Sequence, residues 1–248
     1  MENKRLDAQI LKIYDSSKGR YGSPKISREL QDRGHRVSRS RVARRMRTLG
    51  LRSKVRRKYR VTTDTKHQFP LAPNLLVRNF TAQAPDRVWV SDITYLATRS
   101  GWLYFTVIID LFSRMVVGWA LSSSLGHEMV LTALKRAIRR CRPGKGLIFH
   151  SDRGVQYACT EFRKEPGKHG FIQSMCRKGD CWDNAVVESF FGIMKTELIY
   201  HEKYAGHQDT LHSIFEYIEV FYNRQRRHSA LGYLSPSEYE KQKLRLCA

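Results

Sequence analysis

The sequence predicts an α/β chain with helical ends, and three observations carry that prediction. Between residues 84 and 200, three segments alternate apolar and polar residues with the two-residue period of strands, joined by tight turns. Segments with a helical period then alternate with two further short apolar runs. Before residue 52 and after residue 201, helical periods dominate.

Leu6, Ile10, Ile13 and Tyr14 fall on one stripe of an amphipathic helix over 3–15. Ser23 is expected to cap a second helix with Pro24 at its first position, Ile26 and Leu30 inward, and Gly34 at its end. Ser38 caps a third, with Val42, Met46 and Leu49 inward and Gly50 just past its end. Arg39, Arg41, Arg44, Arg45 and Arg47 take its other faces. Two helices joined by a short Gly-containing turn, the second rich in arginine, predict a helix-turn-helix DNA-binding region over 1–51. The competing reading is a solvated basic hairpin. Residues 52–83 form a basic, turn-rich linker in which Arg56 and Arg57 are expected to track phosphates.

The core over 84–200 begins with strands over 88–97, 102–110 and 115–121. A helix over 128–141 aligns Val130, Leu134 and Ile138. A strand over 147–151, a helix over 156–164, a strand over 171–174 and a helix carrying Glu188 complete it. Glu165-Pro166-Gly167 is expected to interrupt the helix that would otherwise cross 156–169. In the C-terminal helical extension, 201–248, Asp209 is expected to cap a helix with Leu211, Ile214, Phe215, Ile218 and Tyr222 on one stripe. Ser235-Pro236 starts the last helix. Three antiparallel strands followed by alternating helix and strand is the order of an RNase H-like fold, a mixed five-stranded sheet flanked by helices.

Composition narrows the function. Formal charge is +22, with 45 basic against 23 acidic residues, which points to a polyanionic partner, nucleic acid. Residues 1–79 hold 22 Lys and Arg against 6 Asp and Glu, so the phosphate-binding element sits at that end. The five cysteines include no Cys-x-x-Cys pair, so reduced thiols are expected rather than a zinc site. No apolar run of about 18 residues could span a membrane and no signal peptide is visible, so a soluble cytoplasmic protein is expected.

Three acids stand at informative places. Asp92 lies within the first strand, Asp152 closes a short apolar run before Arg153-Gly154, and Glu188 lies in the opening turns of a helix. Converging carboxylates repel, and without a cation at least one takes up a proton. Mg²⁺ resolves the conflict, being hard and oxygen-seeking. Two such ions could serve an in-line phosphoryl displacement.

The segments Trp89-Val90-Ser91-Asp92-Ile93-Thr94-Tyr95, His150-Ser151-Asp152-Arg153-Gly154-Val155-Gln156-Tyr157 and Cys181-Trp182-Asp183-Asn184-Ala185-Val186-Val187-Glu188-Ser189-Phe190-Phe191 resemble the Asp-Asp-Glu transposases and integrases. The 35 residues between Asp152 and Glu188 match that superfamily's spacing. Within it, the chain is most similar to the orfB-type transposase of the bacterial insertion sequence three family. The tail motif Tyr222-Asn223-Arg224-Gln225-Arg226-Arg227-His228 through Leu231-Gly232-Tyr233 and Ser235-Pro236 belongs to the same resemblance. The resemblance implies an RNase H-like integrase core in which Asp92, Asp152 and Glu188 bind two Mg²⁺, with Mn²⁺ able to substitute. It implies cleavage of element ends in double-stranded DNA and strand transfer into a target. It also implies DNA or near-site contacts for Lys195, Asn184 and Gln156, an upstream orfA partner, an oligomer on paired ends, and association with the bacterial nucleoid. Two alternatives stand beside it: a retroviral-type integrase, against which residues 1–79 contain no cysteine for a His-Cys zinc module, and an inactive helix-turn-helix DNA-binding protein.

Overall fold

The computed structural model describes residues 2–54, 69–177 and 181–246. Arg56 and Arg57 lie outside the described residues. The chain forms two units: residues 1–57 with 227–233, and residues 58–226 with 234–248.

In the first unit, α1 (Glu2–Ser16), α2 (Ser23–Asp32) and α3 (Arg39–Thr48) close on Ile10, Ile13, Ile26, Leu30, Val42 and Met46, all buried. Ser38 caps α3 as expected, accepting from the Arg41 amide at 3.3 Å. Gly22, not Ser23, occupies the cap of α2, so Ser23 and Pro24 are both inside the first turn. Gly34 and Gly50 adopt φ of +84° and +68°, the left-handed conformation that ends helices and that glycine takes without steric cost. Residues 227–233 complete this unit. The Arg227 guanidinium donates to Glu29 at 2.6 Å and sits 2.7 Å from Asp32, both on α2. Its backbone N–H donates to the Tyr21 hydroxyl at 3.0 Å, and Leu231 is buried.

The second unit is built on a mixed five-stranded sheet in the order β3-β2-β1-β4-β5. β1 (Val88–Thr98), β2 (Gly101–Asp110) and β3 (Val116–Ser122) form an antiparallel meander. β4 (Ile148–Ser151) and β5 (Ile172–Met175) add in parallel beside β1. α4 (His127–Cys141) packs its Val130, Ala133, Leu134 and Ala137 against the sheet with Trp89, Ile108, Val117 and Phe149. Gly118 lets α4 come this close: a Cβ there would stand 2.4 Å from the Ala133 carbonyl oxygen. Asn223 protects the outer edge of β3, its amide accepting from Val116 N–H at 2.9 Å and donating to Val116 O at 3.0 Å.

Three expectations are corrected here. The helix after Asp152 is split at Cys159, which is extended (φ −64°, ψ 152°), into α5 (Val155–Ala158) and α6 (Thr160–Lys168). Pro166 and Gly167 instead lie inside the end of α6. The proline forfeits only its own N–H bond there, its ring is buried, and its carbonyl accepts from Phe171 N–H at 3.0 Å. In the C-terminal region, α8 (His207–Phe215) passes into a π-helical segment, Glu216–Tyr222. The wider turn shifts the buried stripe to Ile214, Tyr217, Ile218, Phe221 and Tyr222 and leaves Phe215 exposed. Gly206 holds the cap of α8, and Asp209, in its first turn, accepts from the Ala205 amide at 3.0 Å. In α9 (Pro236–Leu246) the expected start is seen: Glu238 accepts from Ser235 N–H and Oγ at 2.8 and 2.7 Å, a capping box.

Candidate active site

Sheet register brings two of the acids together. β1 and β4 run parallel with Ser91 opposite Ser151, so the next residues, Asp92 and Asp152, leave that pairing side by side. Asp152 follows the last residue of β4 and its Oδ1 accepts from Gly154 N–H at 2.9 Å, which holds the turn.

The third acid arrives on α7 (Ala185–Glu197), with Glu188 in its first turn. α7 is tied to β1 at two points. Asn184 Nδ2 donates to Ser91 O at 3.1 Å, and Lys195 Nζ donates to Thr94 Oγ1 at 2.7 Å. Ser91 and Thr94 bracket Asp92 on the strand, and Asn184 and Lys195 bracket Glu188 on the helix. A third tie runs from β4: His150, fully buried, bonds Ser174 Oγ through Nδ1 at 2.8 Å and the Asp183 carbonyl through Nε2 at 3.1 Å.

The electrostatics agree with that convergence. Burial raises the Asp92 carboxyl well above the usual range, and the charges of Asp152 and Glu188 raise it further. The Ile93 N–H and Lys195 work in the opposite direction. Burial lowers Lys195 to about 8 against the pull of Asp92. Burial likewise lowers His150 to about 4, so it is a neutral strut between β4, β5 and the approach to α7. Asp183 is the reverse case: hydrogen bonds from Arg177 hold it at about 2, and Asn74 adds a donor at 2.7 Å.

Among the described residues, no three His, Cys, Asp or Glu side chains stand close enough to hold a metal by themselves. The donor set nevertheless suits Mg²⁺. It consists of carboxylate oxygens, and that ion usually takes one or two carboxylates with waters and substrate phosphates completing its shell.

Residues 82–181 match the integrase core domain, residues 188–244 a second integrase core domain family, and residues 2–59 an HTH-like domain. The chain is 40% identical over 238 residues to transposase InsF of insertion sequence IS3A from Escherichia coli strain K12, covering 96% of this chain and 83% of that one. The chain belongs to the IS3 family of InsF transposases. It is a DNA transposase with a helix-turn-helix unit and an integrase core. It is also 42% identical over 239 residues to an uncharacterized 31 kDa protein of insertion element IS600 from Shigella sonnei, covering 96% of this chain and 88% of that one. Two solved structures share the fold at 15% identity. One, the simian T-cell lymphotropic virus intasome in complex with a PP2A regulatory subunit, gives a TM-score of 0.55 over 93% of this chain and 74% of that one. The other, the HTLV-2 integrase catalytic core with magnesium, gives 0.51 over 64% of this chain and 99% of that one. No described helix of the transposase is long and apolar enough to cross a membrane.

The remaining residues singled out in the sequence divide. Asn184 and Lys195 are buried and make their bonds inside the core, so positioning α7 follows from their geometry and touching DNA does not. Gln156 is half-buried with its amide toward Leu125 O at 3.5 Å, and both it and Asp152 crowd the space where a Gly154 Cβ would stand, each at 3.0 Å. On α3, Arg39 and Arg44 are exposed, while Arg41 donates to Glu2 at 3.0 Å and Arg45 to Asp7 at 2.7 Å. Sequence reasoning missed Ser91, Thr94 and Asp183. Thr94 alone had a local signal, lying two residues from Asp92 and so on the same strand face.

Proposed function

We propose that this transposase is an Asp-Asp-Glu polynucleotidyl transferase that cleaves insertion-sequence ends and joins the freed strand to DNA. The observation that supports the reading is the bracketing of Asp92 and Glu188 by the two ties between β1 and α7, with Asp152 set beside Asp92 by strand register.

Asp92, Asp152 and Glu188 would hold two Mg²⁺ ions, with Mn²⁺ substituting. When bound, the metal supplies charge neutralisation and a more acidic attacking water or hydroxyl. The chain's own residues do the rest. β1, β4 and α7 carry the three acids and the two ties hold α7 to β1; such preorganisation would lower the barrier to an in-line displacement once metal and substrate draw the carboxylates together. Lys195 lends positive charge beneath Asp92. Arg177 and Asn74 fix Asp183, and with it the approach to the Glu188 helix. No covalent intermediate with the protein is needed in this reading, because water and then a 3′-hydroxyl are the attacking groups. The upstream orfA product and an oligomer on paired ends complete the reading.

The test is a circle-junction assay in cells carrying the element ends on a plasmid, with and without the upstream product. Asp152→Asn and Glu188→Gln should cut junction formation on the order of 10³-fold, the loss of several kcal/mol of transition-state stabilisation, while DNA binding persists. Wild-type junction levels in either variant would refute the assignment.

A further inference from the structure

Acidic residues sort the arginines of the helix-turn-helix unit into two classes. Arg28 lies 3.1 Å from Asp32, Arg33 2.9 Å from Glu29, and Arg227 2.6 Å from Glu29. On α3, Arg41 lies 3.0 Å from Glu2, and Arg45 forks onto both oxygens of Asp7, with Nε at 2.7 Å. Arg45 holds Asp7 below the usual carboxylate range by that hydrogen bond, the mark of a committed pair. Arg39, Arg44 and Arg47 are exposed and take part in no ion pair among the described residues.

Helical geometry separates the same two classes. Val42 and Met46 are the buried side of α3. Ser40, Arg44 and Arg47 recur at i, i+4 and i+7, a stripe on the opposite face, and all three are exposed. Arg41 and Arg45 form a different stripe, on the flank that faces α1. Carboxylates on that flank would repel phosphates, whereas Arg39 and the small Ala43 leave the other flank basic and low.

We propose that α3 reads the element ends through Ser40, Arg44 and Arg47 laid in the major groove, and that Arg41 and Arg45 are the struts that fasten α3 to α1. This rests on the transposase reading and names the specificity-determining residues within it. A major groove admits one helix, and the residues that meet base edges are those opposite the face that packs on the protein. Arginine suits guanine, whose O6 and N7 accept its two parallel N–H groups, and each such pair discriminates by about 1–3 kcal/mol. Ser40, in the first turn, is short enough to approach a base edge or phosphate where the helix enters. Arg39, off the stripe, falls where a phosphate contact would position the helix without reading sequence.

The experiment uses the purified full chain with two duplexes, one carrying the element's own terminal repeat and one a scrambled repeat, across a salt series. Arg44→Ala or Arg47→Ala should reduce the preference for the repeat by about 5- to 150-fold, the discrimination above expressed as a ratio. Arg39→Ala should weaken both duplexes alike and lower the salt slope by about one. Arg45→Met should lower the unfolding midpoint of the chain and leave the preference ratio unchanged. Equal loss on both duplexes from Arg44→Ala and Arg47→Ala, or a collapsed ratio in a folded Arg45→Met variant, would overturn the assignment alone. A wild-type chain with no preference for the repeat would overturn the assignment as well, whereas the reading beneath it stands or falls on junction formation in cells.

Discussion

Replacing Glu197 by glutamine would take one charge from a buried pair and leave its partner in place. Glu197 ends α7 and accepts from Arg226 at both oxygens, at 2.8 Å each, and from the Tyr217 hydroxyl at 2.8 Å. Both charged residues are buried, 6% and 5% exposed, so water cannot replace the lost partner. Burial lowers the Arg226 pKa and Glu197 more than reverses this in the wild type; with Glu197 gone, arginine's ordinary pKa still lies so far above neutral that the guanidinium remains charged in the variant. Breaking a buried pair on one side costs about 3–5 kcal/mol, and for a unit of this size each kcal/mol moves Tm by about 2–4 °C. Glu197→Gln should therefore melt roughly 10 °C below wild type. Removing both charges in Glu197→Leu/Arg226→Met should recover most of that, because an uncharged filling requires no desolvation of ions. Thermal and urea melts of the three proteins decide the matter. A loss under about 1 kcal/mol in the single variant, or a double variant less stable than the single, would refute the reasoning.

Asp110 is raised to about 6 by burial, against hydrogen bonds from the amides of Ser113 and Asp86. Its folded pKa lies above its unfolded value, so its contribution to stability grows as pH falls from about 6 to about 4. The increment is about 3 kcal/mol, and the difference between wild-type and Asp110→Asn denaturation curves across that window should show it; a flat difference would exclude it. Gly118→Ala places a methyl 2.4 Å from Ala133 O and 2.8 Å from Ala137 Cβ, so urea melts should show a loss of at least about 1–3 kcal/mol. Asn223→Ala strips two bonds from the β3 edge and should cost about 2–4 kcal/mol by the same measurement, with Asn223→Asp no better because its second oxygen faces Val116 O.

What was legible in the sequence was what short-range pattern encodes. The alternation around Asp92 and the apolar run before Asp152 placed one acid on a strand and the other at a strand's end, and the succession of five strands along the chain followed from the periods. The helix stops at Gly34 and Gly50 were visible because a positive φ leaves glycine as its mark. Pairings across long separations left no such mark. Nothing near Arg45 announces Asp7, and nothing near Asn223 announces Val116, 107 residues away. The tail motif could be noticed, but its reasons lie elsewhere in the chain: Asn223 serves β3, Arg226 serves α7 and Arg227 serves α2. The split at Cys159 and the π-helical turn escaped because each is a backbone choice imposed by packing. Helix propensity puts the break at Pro166, and tertiary context overrides it.

The discontinuity of the first unit has a consequence for the order of synthesis. The segment from Arg227 to Tyr233 that closes onto α2 is translated long after α1, α2 and α3. At 5–20 residues per second, residue 233 follows residue 57 by roughly 10–35 s. Throughout that interval the nascent chain carries the three helices of the helix-turn-helix unit without the arginine that clasps Glu29 and Asp32. The helix-turn-helix unit is thus begun before the sheet and closed only after it, and a message cut short before codon 227 yields that unit without its clasp.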